Sequence, residues 1–130
     1  MELFWGEVAV DATGVYVAGS ESPPNAAYLR KYNPDGAELW TRRWGDPNDL
    51  FVPQGVTVDP AGVYVFGILQ RSGPSFPGSP QFPFARKYDL RGNELWTRQL
   101  NLFDVDRTFA AADPTGFYVA ALEYSRVWAE

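Results

Sequence analysis

Short alternating runs of apolar and polar residues recur along the chain, separated by Gly, Pro, Asp and Asn. This pattern is typical of half-buried β-strands joined by turns, and no stretch shows the spacing of an amphipathic helix. Four strands, A to D, are predicted in each of two long segments. They cover Glu7–Val10, Val15–Gly19, Ala27–Tyr32 and Glu38–Arg43 in the first segment, and Gly55–Val58, Val63–Ile68, Phe84–Tyr88 and Glu94–Leu100 in the second.

The two segments are copies of one repeat. Val8–Gly19 (VAVDATGVYVAG) matches Val56–Gly67 (VTVDPAGVYVFG) and Ala110–Ala121 (AAADPTGFYVAA). A second block, Lys31–Arg42, matches Lys87–Arg98 at eight of twelve positions. Four antiparallel strands at a period of roughly 50 residues describe one blade of a β-propeller. The repeated positions are Asp11, Gly14, Lys31 and Trp40; Asp59, Gly62, Lys87 and Trp96; and Asp113 and Gly116.

The predicted fold class is therefore all-β, with about two and a half propeller blades in a single partial domain over residues 1–130. The first blade covers residues 7–45, the second 55–101, and a partial third 108–130. In the third blade, Thr108–Leu122 supplies strands A and B, and Tyr124–Trp128 a truncated strand C. Residues 1–6 resemble the end of a strand D and are predicted to close another blade.

Each repeated residue has a predicted structural role. The Asp that precedes each turn glycine should accept hydrogen bonds from backbone N–H groups two residues on. The glycine should supply a positive φ. Trp40 and Trp96 have identical surroundings and are predicted to pack between neighbouring blades. Lys31 and its counterpart Lys87 are predicted to pair across strands C and D with the Glu seven residues later.

The copies differ in the lengths of their links. The Asp-to-Lys spacing that spans the B–C link is 20 positions in the first copy and 28 in the second, and the D–A link also varies. Both links emerge on one edge of a blade, where binding residues are often displayed. The segment Gln70–Pro83 is expected to lack regular structure and to display Phe76 and Phe82. The candidate binding-loop residues are Ser22, Asn25, Asp49, Phe51, Arg71, Phe76, Phe82, Phe103 and Asp106.

The amino-acid composition excludes several kinds of catalytic and metal-binding site. The chain has no Cys and no His, which excludes disulfides, thiol nucleophiles, His–Cys zinc sites and a Ser–His–Asp triad within it. The oxygens of Asp46–Asp49 and Asp104–Asp106 could hold calcium, but they lack EF-hand spacing and fit solvated acidic loops better. No catalytic, metal-binding or cofactor-binding residue is predicted. The net charge of −5 argues against nucleic acid as a partner.

Two features concern localisation. No apolar run approaches the roughly 18 residues of a membrane span, so no membrane association is predicted. Met1–Glu7 lacks the basic start and apolar run of a signal peptide. These residues alone leave a cytoplasmic protein and a mature piece of a longer secreted protein as alternatives.

The motif V-D-x-x-G-V-Y-V-x-G followed by R-K-Y-[ND]-x-x-G-x-E-L-W-T-R resembles the bacterial β-propeller repeat family known as SBBP, over residues 8–122. The resemblance implies an extracellular or cell-surface propeller module with binding or scaffolding roles and no shared catalytic residues. The chain departs from the family pattern at Ala121, where the motif has Gly, and in its small number of repeats.

Three functions follow as hypotheses. The first is a non-catalytic module that binds an unknown protein or carbohydrate ligand through the face that carries the B–C and D–A loops. The second is an enzyme, either hydrolytic or similar to the quinoprotein propellers whose Trp-docking repeats G-x-E-L-W resembles; those bind a quinone and calcium. The third is a truncated or engineered fragment. A ring would be completed by a homo-oligomer, most simply a dimer, or by the remainder of a longer propeller.

Overall fold

A computed structural model describes residues 2–22, 26–100, 105–113, 116–123 and 126–129, and the side chains of residues 7–21 and 26–100. The all-β prediction is confirmed for this part of the chain: it holds eleven strands in three antiparallel sheets and no helix. Accordingly, none of these residues forms a helix long and apolar enough to cross a membrane.

The first two sheets each have four strands in sequence order. The first contains β1 (Glu2–Asp11), β2 (Gly14–Ser22), β3 (Ala26–Tyr32) and β4 (Glu38–Trp44). The second contains β5 (Asp49–Asp59), β6 (Gly62–Arg71), β7 (Gln81–Tyr88) and β8 (Glu94–Gln99). The third has three described strands, β9 (Val105–Asp113), β10 (Gly116–Glu123) and β11 (Arg126–Ala129), with β10 in the middle.

The first strand of each four-stranded sheet is longer than predicted. Residues 2–6 belong to β1, where Leu3 lies opposite Glu21 of β2, so these residues do not form the separate closing strand expected for residues 1–6. Strand β5 begins at Asp49, six residues before the predicted start at Gly55. Pro53 stands in this edge strand beside a register shift, where a missing N–H is tolerated.

The repeated Asp-x-x-Gly turns form as predicted. Asp11 Oδ1 accepts a hydrogen bond from the backbone N–H of Thr13 at 2.8 Å, and Asp59 Oδ1 accepts one from Ala61 at 2.8 Å. The closing glycine is required because a Cβ on Gly14 would overlap the backbone carbonyl of Tyr32. These turns fix the register of β1 with β2 and of β5 with β6.

The hydrophobic core lies between the first and second sheets. Strand β5 runs against β1, β2 and β3. Because side chains alternate along a strand, each sheet has two faces. We call the side that the first sheet turns to the second the Tyr16 face; it holds Tyr16, Ala18, Ala27, Leu29 and Trp44. The side of the second sheet that meets it is the Val63 face, with Val63, Val65, Leu69, Phe84 and Tyr88, and with Val56 and Val58 packed against the cluster.

Trp44 is the centre of this contact. Its ring lies 6.3 Å from that of Phe51 and 5.9 Å from that of Tyr88, and the guanidinium of Arg86 stacks over it at 4.8 Å. Phe51 in turn meets Phe84 edge-on at 5.0 Å. Aromatic pairs and a stacked Arg stabilise beyond the area they bury, so this cluster fixes how the two sheets sit together.

Candidate functional site

Within the described residues, two of the predicted loop segments meet at one end of the second sheet. Arg71 Nε contacts Asp49 Oδ1 at 3.3 Å, and the Arg71 guanidinium lies 5.1 Å from the ring of Phe76. Asn48 O accepts the backbone N–H of Ser72 at 2.8 Å. We call these five residues the loop edge. They bring an ion pair, an aromatic ring and a hydroxyl together on one surface.

The loop edge is held by its own backbone. Arg71 N donates to Pro80 O at 3.0 Å and Phe76 N donates to Gly73 O at 3.0 Å, which folds residues 72–80 into successive turns. Asp46 Oδ1 accepts the N–H groups of Asn48 and Asp49 at 2.8 and 2.9 Å. The Asp46 oxygen considered as a calcium ligand is thus engaged by backbone amides, an Asx turn.

The nine predicted loop residues separate into four groups. Asp49, Arg71 and Phe76 come together in the loop edge. Ser22 and Asp106 stand in β2 and β9. Asn25 and Phe103 lie outside the described residues. Phe51 and Phe82 belong to strands, and their assignment as loop residues is wrong.

The expectation that Phe82 is displayed fails because β7 starts at Gln81. Phe82 pairs with Leu69 in register and is 4% exposed. Phe51 packs with Trp44 and Phe84 in the core. The segment Gln70–Pro83 is also more regular than predicted, since both of its ends extend strands. Only residues 72–80 connect them.

The predicted pairing of Lys31 with Glu38 is also wrong. Glu38 lies 3.4 Å from Arg30, and Glu94 lies 3.2 Å from Arg86 in the second sheet. A register shift in β4 puts Glu38 opposite Tyr32, on the face it shares with Arg30. Lys31 occupies the other face, because neighbours in a strand point to opposite sides.

Lys31 instead joins a network at the first turn. Its Nζ donates to Thr13 Oγ1 at 2.7 Å and lies 4.9 Å from the centre of the Tyr16 ring. Thr13 Oγ1 and Tyr16 OH donate to the two oxygens of Asp11 at 2.6 and 3.1 Å. Burial alone would raise the pKa of Asp11, but the hydrogen bonds from Thr13 and Tyr16 bring it below its usual value. Asp11 therefore caps the turn, and its hydrogen-bond donors Thr13 and Tyr16 are close to it in sequence.

The two repeated tryptophans make the same contacts within their sheets, and for Trp40 the structure also describes a contact with another sheet. Trp40 lies 6.2 Å from Tyr16 and directly against Gly92 of the second sheet, where an added Cβ would come within 2.9 Å of its ring. This contact fits the predicted packing between blades. Trp96 lies 6.3 Å from Tyr64 of its own sheet, with Arg98 stacked on it at 4.6 Å.

Sequence reasoning missed three residues that matter here. Trp44 was overlooked because it is not repeated: Leu100 stands at the matching position of the second copy. Asn48 and Ser72 join the loop edge through backbone contacts that no side-chain pattern reports. An unrepeated aromatic beside a repeated block was the available signal for Trp44.

No group of three or more His, Cys, Asp or Glu positioned to hold a metal ion occurs among the described residues. No protein-family model matches the chain, and no curated protein matches it. The likeness to SBBP repeats therefore stays a prediction.

Proposed function

We propose that this chain is a non-catalytic β-propeller repeat module, outside the cell or at its surface, that binds a carbohydrate or protein ligand at the loop edge. The observation that carries the proposal is that the repeats keep their Asp-x-x-Gly and β3–β4-type turns at constant length and differ in the link that builds the loop edge. A link whose length departs from the repeat is a place where a function can be added without cost to the core.

The chemistry of the loop edge suits a polar ligand with an apolar side. Phe76 offers a ring face, and the Asp49–Arg71 pair offers an acceptor and several donors. Both charges are about a third exposed or less, at 26% and 32%, so they are partly desolvated before a ligand arrives. Pre-ordered groups of this kind lose little side-chain freedom on binding.

Neither alternative has an observation of its own in the described residues. A hydrolytic or quinoprotein-like enzyme would need gathered carboxylates or ligands, and the acidic side chains with described partners serve turns or ion pairs. A fragment without its own function would give no reason for an ordered, unrepeated loop.

The test is binding to a panel of immobilised oligosaccharides and a panel of immobilised peptides. We expect Phe76→Ala and a shortening of residues 72–80 to three residues to reduce any retention by about tenfold or more, the loss expected of a central aromatic contact. The shortened variant should fold, since only three positions separate the end of β2 from the start of β3 in the first sheet.

Leu95→Ala is the matched control. Leu95 is an exposed apolar residue of β8, outside the loop edge, and its loss should leave retention unchanged. Retention that survives both loop changes would place the ligand site elsewhere and contradict the proposal.

A further inference from the structure

The first sheet has an outer face whose counterpart in the second sheet is buried. We call it the Val15 face: Val8 and Val10 of β1 stand directly opposite Val17 and Val15 of β2. The same positions of the second sheet are Val56, Val58, Val65 and Val63, in the same register, and they form part of the Val63 face. The repeat therefore gives the first sheet the surface that the second sheet uses to bind its neighbour.

The exposures of the two faces differ sharply. Val8 and Val10 are 59% and 66% exposed, whereas their counterparts Val56 and Val58 are half-buried. Val15 and Val17 are half-buried, whereas their counterparts Val63 and Val65 are fully buried. Val56 and Val58 pack against the core cluster formed with the Tyr16 face. Two adjacent valines at this exposure are an unusual surface for a sheet that elsewhere alternates apolar and polar positions.

The face is apolar along β1 and β2 near the Asp11 turn, and beside Val17 it carries Arg30 of β3, which pairs with Glu38. At the other end it carries the ion pair of Arg43 with the buried Glu21, where the second sheet has Gln99 and Leu69. The surface in question is thus the half that surrounds Val8 and Val10, close to the Asp11 turn.

Residue sizes at the observed contact show what fits this surface. On the Tyr16 face, Ala18 stands seven residues after the turn Asp and belongs to the cluster that Val56 and Val58 pack against. The small Ala18 and the two branched valines thus belong to one packed cluster, and close-packed layers favour such a combination of sizes.

The next pair of sheets reverses the sizes. The second sheet has Phe66 at the Ala18 position, and the third sheet supplies Ala110 and Ala112 at the positions of Val56 and Val58. Strand β9 runs against β5, β6 and β7, just as β5 runs against β1, β2 and β3. The third sheet returns to the small residue: Ala120 stands at the Ala18 position in β10, two residues after Tyr118, which matches Tyr16.

We propose that the Val15 face docks onto the third sheet of a second copy of this chain. The contact is head to tail, so that Val8 and Val10 of one copy meet the strand position that Ala120 occupies in the other. The pairing of small with large residues continues through this contact, because Val8 and Val10 with Ala120 repeat the sizes of Val56 and Val58 with Ala18. Two copies joined twice in this way form a closed arrangement of cyclic symmetry, which leaves neither face open. This inference goes beyond the ligand site, which lies on the second sheet.

The first test is the mass in solution as a function of concentration, by light scattering or sedimentation. We expect a dimer, and we expect Val8→Glu with Val10→Glu to weaken it by about tenfold or more, because charge replaces the apolar centre of the contact. Leu95→Glu, an exposed apolar residue of the second sheet, is the matched control and should leave the dimer intact.

The second test uses this pairing of sizes directly. Ala120→Phe in one chain, and Val8→Ala with Val10→Ala in another, should each weaken self-association. An equimolar mixture should restore the dimer, because one of its contacts then has the sizes of Phe66 with Ala110 and Ala112, and the other is unchanged.

The outcomes separate the alternatives. A parent chain that stays monomeric at roughly 100 μM, far above a specific dissociation constant, overturns the proposal and leaves the face to another segment of a longer protein. A dimer untouched by Ala120→Phe means that two Val15 faces meet each other, which also overturns it. Thermal unfolding of each variant, followed by circular dichroism, shows that a lost dimer is not a lost fold. Ligand retention at the loop edge is measured separately, so either proposal can fail without the other.

Discussion

The first and second sheets are built from one repeat, and the turn between their last two strands has the same conformation in both sheets but different surroundings. In the first sheet, Gly36 has a φ of 89° and is exposed; in the second, Gly92 has a φ of 87° and is buried. The turns share their hydrogen bonds, with Asn33 Oδ1 and Asp89 Oδ1 each accepting from two backbone N–H groups. The local conformation is therefore a property of the repeat, and the burial is a property of the neighbour.

The neighbour in this case is β4 of the first sheet. Arg42 Nε donates to Gly92 O at 2.7 Å while its guanidinium stacks on Trp40 at 5.2 Å. In the second sheet, Arg98 stacks on Trp96 in the same way but is exposed. The stacked Arg–Trp pair is thus present in both copies. Among the described residues, a turn of the neighbouring sheet covers the pair of the first copy.

Trp44→Ala has the largest expected effect, because it removes the aromatic centre of the contact between the sheets. Trp44 is buried and touches Phe51, Tyr88 and Arg86. We expect the free energy of unfolding to fall by about 3–5 kcal/mol, measured by chemical denaturation. Leu39→Ala, an exposed change in the same strand, should cost about 0.5 kcal/mol or less. Similar losses for the two variants would mean that Trp44 does not join the sheets.

Gly92→Ala compared with Gly36→Ala separates the neighbour from the turn. Both glycines have nearly the same positive φ, so the backbone cost of Ala should be alike, about 1 kcal/mol. At Gly92 the new Cβ would also press on the Trp40 ring, whereas at Gly36 it meets open space. We expect an additional loss of about 1–3 kcal/mol at Gly92 alone, as for overpacking elsewhere. Equal denaturation midpoints for the two variants would refute the contact.

Asp89→Asn is the smallest change and tests the turn itself. The backbone and side-chain N–H groups of Asn93 donate to Asp89 and hold its pKa below the ordinary value of 3.8. A lowered folded pKa stabilises the turn above that value, and the stabilisation is lost as the pH falls below it. Asn33 makes the same backbone bonds without a charge. Asp89→Asn should therefore unfold at a slightly lower midpoint than the parent near neutral pH, where the charge contributes, and lose less stability in acid.

Asn33→Asp is the reciprocal variant and should add acid sensitivity to the first turn. Thermal melts from about pH 7 to pH 2 measure both. Acid sensitivity that is the same in the parent and in Asp89→Asn would show that the charge of this turn has no part in stability.

Much of the fold could be predicted because a repeat reports its strands twice. The alternation in Val15–Gly19 and Val63–Ile68, with an Asp-x-x-Gly turn before each, fixed strands and turns that the structure confirms. The candidate site was predicted in part: Asp49, Arg71 and Phe76 meet at the end of the second sheet, and the length of the link pointed to that end.

What the sequence determined by itself is local: which residues alternate, where a glycine must close a turn, and which link departs from the repeat. These follow from dihedral preferences and from hydrogen bonds between residues two to five positions apart. The tertiary structure decided which face of each strand is covered. It paired Arg30 rather than Lys31 with Glu38, buried Phe82, and made the unrepeated Trp44 the joint between the sheets. Burial depends on a neighbour far away in sequence, so matching residues of the two copies, such as Val8 and Val56, acquire different surroundings.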